Sequence, residues 1–145
     1  MRKIILSILL AGASFAPAHA FEAISQSWAA VVTAASGTGK TFQTVKLTPG
    51  TWQCAAQANV TAATTTTILE GAFETTGVAV ATTAHGYTVG VGGGATISGL
   101  NVGPAFIEVP ASITTGVTPY LVNFKWTGTG GPPNLAGRVQ CVKVN

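Results

Sequence analysis

Thr51-Trp52-Gln53-Cys54-Ala55-Ala56-Gln57-Ala58-Asn59-Val60 is the stretch on which the fold turns. Trp52, Cys54, Ala56, Ala58 and Val60 fall on one side of an extended chain. Thr51, Gln53, Ala55, Gln57 and Asn59 fall on the other. A period of two with apolar groups on one face is the mark of a half-buried β-strand. The first set is the expected core face. Thr48-Pro49-Gly50, just before it, reads as a tight turn, with Pro fixing φ and Gly free to take a positive φ.

Outward from this strand the same grammar repeats. Gln26 to Thr33 and Thr41 to Leu47 read as strands on the N-terminal side, joined by the loop Ala34 to Gly39. On the C-terminal side, Thr64 to Phe73, Val78 to Thr83, Ala105 to Val109 and Pro119 to Trp126 follow. Gly86 to Gly99, with Gly92-Gly93-Gly94, reads as a flexible hairpin or loop beside weak strands. Tyr120, Val122 and Phe124 share one face, against Leu121 and Asn123. After the loop Gly128 to Asn134, Gly137 to Val144 closes the chain. There Val139 and Cys141 lie on one face and Val142 and Val144 on the other, so a bulge near Cys141 is expected. Short strands with frequent turn signals predict an all-β fold. The expected architecture is a single antiparallel β-sandwich of eight or nine strands, jelly-roll-like.

Residues 1–20 stand apart from this domain, which spans 21–145. A basic head, Met1-Arg2-Lys3, precedes an apolar run from Ile4 to Ala13, and Ala18-His19-Ala20 supplies a small-x-small cleavage pattern. This is the pattern of a secretory signal peptide cut between Ala20 and Phe21. The apolar run is shorter than a membrane span needs. Without the leader, seven basic residues become five against four acidic ones, a net of +1. Scattered cations do not make a nucleic-acid surface. Export makes a disulfide the expected state of the two cysteines, Cys54 and Cys141. Their pairing would require the strand at 51–60 and the last strand to be neighbours.

Motifs for chemistry are few. Ser36-Gly37-Thr38-Gly39-Lys40-Thr41 resembles the end of a phosphate-binding loop, but Ala34 stands where the first Gly belongs and a strand follows instead of a helix. His85 is the single His after the leader, and the chain has no Asp, so a nucleophilic triad has no basis. Glu70 and Glu74 read as solvated charges at a strand edge. Asn59-Val60-Thr61 is a glycosylation sequon by pattern. Trp52 and Tyr120 lie on expected core faces. Trp126, at a strand end, is the best exposed aromatic, and with Tyr87 and His85 it is a candidate ligand contact, for example to a carbohydrate. No catalytic residue, metal site or cofactor is expected.

Three pieces in order resemble a family. Val45 to Trp52 (VKLTPGTW), Thr118 to Phe124 (TPYLVNF) and Gly137 to Val144 (GRVQCVKV) are similar to strands of small β-sandwich domains in tailed-phage structural proteins of the head-fibre, decoration and tail-fibre type. The resemblance implies a jelly-roll-like sandwich, often a homotrimer, that acts by adhesion or attachment to a larger particle and not by catalysis. It places the protein on a virion surface, whereas the leader implies export to the periplasm or exterior. The alternative is a secreted bacterial module that binds a carbohydrate or a cell surface.

Overall fold

A computed structural model describes residues 22–62, 65–92, 97, 99–112 and 118–144. The expected leader at 1–20 and its expected cleavage site lie outside them. The described chain forms eight strands: β1 (Ala23–Val32), β2 (Gly39–Leu47), β3 (Gly50–Ala62), β4 (Thr65–Glu74), β5 (His85–Val91), β6 (Gly99–Val109), β7 (Thr118–Thr129) and β8 (Asn134–Lys143). They make two four-stranded sheets, sheet A in the order β1-β8-β3-β6 and sheet B in the order β2-β7-β4-β5.

The order has a simple origin. β1 pairs with β8, β2 with β7, β3 with β6 and β4 with β5, all antiparallel. The chain is thus one long hairpin folded back at the β4–β5 connection. Rolling that hairpin brings β3 against β8 and β4 against β7. This is the jelly-roll order, and it closes the expected sandwich with eight strands.

Alternation fixes which face turns inward. Trp52, Cys54, Ala56 and Ala58 are buried, and so are Tyr120, Val122 and Phe124. Between the sheets Trp28 of β1, Phe42 of β2 and Phe124 of β7 meet at centroid distances of 5.7–6.1 Å, in tilted and edge-on geometry. Such pairs add to their area burial. The indole of Trp52 donates to the Thr48 carbonyl at 2.8 Å, which joins the core to the turn at Pro49.

Four expectations are corrected. Val78 to Thr83 is not a strand. Residues 75–84 instead connect β4 to β5, and the side chain of Asn123 on β7 donates to the carbonyls of Gly77 (3.1 Å) and Ala79 (3.0 Å). Those carbonyls therefore need no strand partner. Second, β8 runs without a bulge at Cys141, so Val142 and Val144 stay outside, 40% and 49% exposed. Third, β6 starts at Gly99 and runs through Pro104. Pro is tolerated there because β6 is an edge strand and because Gly103 and Pro104 together oppose the single residue Ala55. Gly103 takes φ +93° in this bulge. Fourth, part of the Gly-rich region, His85–Val91, is an ordered edge strand.

Candidate functional site

The three candidate contacts do not converge. Trp126 is buried, 1% exposed, with its indole donating to the Ala34 carbonyl at 2.8 Å. Its expected exposure is corrected: β7 continues to Thr129, so the inward series Tyr120, Val122, Phe124 reaches Trp126 before the strand ends. His85 is exposed at the start of β5, with its ring edge-on to Tyr120 at 5.8 Å. Tyr87 is half-buried on the outer side of sheet B.

Tyr87 belongs to a polar row across that outer side. Glu70 of β4 stands opposite Lys125 of β7 in the ladder. Lys125 Nζ lies 2.7 Å from Glu70 Oε2, and Tyr87 Oη donates to Glu70 Oε1 at 2.8 Å. Each carboxylate oxygen thus has one donor. The hydrogen bond to Glu70 raises the Tyr87 phenol above its ordinary pKa, with desolvation and the carboxylate charge acting in the same direction. Glu74 accepts from the Ala81 backbone amide at 2.9 Å. Glu70 and Glu74 are therefore not free edge charges, because β4 is an interior strand of sheet B. Both carboxylates are committed to structure, and the row offers no pair suited to acid–base chemistry.

The outer side of sheet A is different. Among the described residues nothing covers its four strands, and it carries small and amide side chains: Ser25 and Ser27 of β1, Gln53 and Gln57 of β3, Gln140 of β8 and Asn101 of β6. A groove of 240 Å³ runs between β8, β3 and β6, lined by Ala55, Gln57, Asn101, Pro104, Arg138 and Gln140. The β6 bulge shapes one wall of it. Beyond the groove, on the same face, Phe106 is 63% exposed. Arg138 and Glu108 are charged groups of this face, and among the described residues neither is in an ion pair. Nothing in the alternation of β6 or β8 alone marks this surface. It needs the register that puts Arg138, Gln57 and Asn101 in one transverse row.

Cys54 and Cys141 form the expected disulfide. Ser36 to Thr38 is a loop that enters β2, a strand, so no helix N-terminus is there to hold phosphate. Among the described residues no three His, Cys, Asp or Glu side chains group closely enough to hold a metal ion. No family model matches the chain, and no curated protein does. Among solved structures the chain is similar to part of the structure of infectious bursal disease virus Gx strain, at 15% identity and a TM-score of 0.43. The similarity covers 86% of this chain and 31% of that one, so the chain spans about a third of its length.

Proposed function

We propose that this chain is an exported, non-enzymatic structural or adhesion module, similar in role to the small phage structural domains its strands resemble, and that it self-associates on a larger particle or cell surface. The observation that carries this reading is the outer face of sheet A. It is broad, uncovered among the described residues, carries Arg138 and Glu108 among small and amide side chains, and combines a groove with an exposed Phe106. An interface between proteins is about as polar as the rest of their surface, with an aromatic anchor at its centre, and a face of amide side chains around one exposed Phe fits that composition. The carboxylates of sheet B, by contrast, are bonded within the fold, Glu70 through both oxygens and Glu74 through Oε1. A carbohydrate-binding module, the alternative, lacks its main stacking residue with Trp126 in the core.

The test is to express the full chain in a bacterial host, recover it from outside the cytoplasm and measure its unreduced mass. The reading expects a mature, oxidised chain without residues 1–20 that co-sediments with a particle or envelope fraction. An uncleaved cytoplasmic chain, or one that never attaches, would overturn it.

A further inference from the structure

We propose that the outer face of sheet A is self-complementary and joins two copies of this chain about a two-fold axis, with Phe106 of each copy seated in the groove of the other. The proposal rests on the reading of the chain as a self-associating module and names the surface and the partner.

The register supplies the argument. On this face Phe106 lies in the row of Gln53 and Val142, and Glu108 lies beside Thr51. Arg138 lies in the row of Gln57 and Asn101. Arg138 on β8 and Glu108 on β6 thus flank β3 from opposite sides, displaced by six residues, about 20 Å along the strand. Project these rows onto a flat sheet and place a two-fold axis in the interface, crossing β3 between Gln53 and Ala55. The axis carries Arg138 over the partner's Glu108, and Glu108 over the partner's Arg138. The same operation carries Phe106 over the partner's β3 between Ala55 and Gln57, where the groove lies. Val142, 40% exposed, falls near the axis against its own copy.

One operator therefore satisfies the knob, the hole and both charges. That is the self-complementarity an isologous contact requires. The contact is small. Four strands spaced about 4.8 Å apart and about ten residues long present about 600 Å², and this operator crosses the strands of the two copies, so the pair buries less than about 1,200 Å², the range of weak, exchanging contacts. A single exposed aromatic entering a pocket near the centre is the usual anchor of such a contact. Ser25, Ser27 and Ala55 are small and leave the approach open.

Sedimentation equilibrium on the exported protein tests this. The wild-type chain is expected to be a dimer in concentration-dependent exchange with monomer. Phe106→Ala should raise the dissociation constant about tenfold or more. Arg138→Glu and Glu108→Arg should each weaken the dimer, and the two together should restore it. All three positions of change are at the surface, so thermal melting read at concentrations where the wild-type chain is monomeric should be unmoved. A monomer at every concentration, a trimer, or a dimer indifferent to Phe106→Ala or unrestored by the charge swap would overturn the proposal. An exported monomer that still attaches to its particle would sink the dimer and the self-association, and leave export and attachment to a particle standing. A dimer that attaches to nothing would do the reverse.

Discussion

Cys54 of β3 and Cys141 of β8 stand directly opposite each other in an antiparallel ladder, with Cα atoms 4.1 Å apart and both side chains fully buried. The bond spans 87 residues of sequence but joins neighbours in one sheet. It therefore fastens the last strand to the strand whose alternation defines the core.

Loop-closure entropy sets the size of its effect. Cross-linking a loop of this length removes about 4–5 kcal/mol of denatured-state freedom. Cys54→Ala/Cys141→Ala should lose about 4 kcal/mol in urea unfolding. Burial also means that a soluble thiol reaches the bond only after the sheets part. Dithiothreitol should leave it intact in native buffer and cleave it in urea, as read by alkylation and mass. Ready reduction of the folded protein would contradict the buried position.

Asn123 is a second fixed point. Although it sits on the outward side of β7, it is 0% exposed. Its Oδ1 accepts from Thr41 Oγ1 at 2.7 Å, and its Nδ2 donates to Gly77 and Ala79. Asn123→Ala leaves two carbonyls and a hydroxyl without this partner. A cost of about 2–3 kcal/mol is expected. Hydrogen exchange should accelerate first around residues 75–84. An exchange pattern changed evenly over both sheets would show that Asn123 does not secure that connection.

These residues show what the amino-acid order reveals and what it hides. The inward face of Thr51 to Val60 is legible because each second residue is apolar and each intervening one is polar or small. The β3–β8 neighbourhood is legible once the cysteines are taken as paired. Val78 to Thr83 misleads because β-branched residues alternate there, while the carbonyls of Gly77 and Ala79 are engaged by Asn123, more than forty positions away, and the amide of Ala81 by Glu74. Trp126 misleads because Gly128 suggests an early end to β7. The groove beside Arg138 is invisible to any local pattern, since it exists only where β8, β3 and β6 lie in register around the Gly103–Pro104 bulge.

Gly137 shows how tightly that register is held. A Cβ there would meet the Gln57 carbonyl and the ring of Trp28. One neighbour is backbone within sheet A and the other is a core indole, so neither yields cheaply. Gly137→Ala should cost about 3 kcal/mol through overpacking and should alter the near-ultraviolet signal of the tryptophans. A variant as stable as the parent would mean that β8 can shift where the ladder indicates it cannot.

The two tyrosines of the chain allow a test by pH. The hydrogen bond to Glu70 is the main cause of the raised Tyr87 value, and burial raises Tyr120. A phenol whose pKa is higher folded than unfolded stabilises the fold fully below the unfolded value, about 10, and that contribution is lost as pH rises through the folded value. Phenolate absorbance of the native protein should therefore show no tyrosine titrating at the ordinary value. Glu70→Ala removes the acceptor and the charge together, so one tyrosine should return towards about 10 while the other stays high. Tyr87→Phe in the same background should delete the returned transition and no other. If Glu70→Ala moved neither phenol, the row Tyr87–Glu70–Lys125 would not exist in solution. If it moved both, Glu70 would be holding the sandwich itself and not only its neighbour.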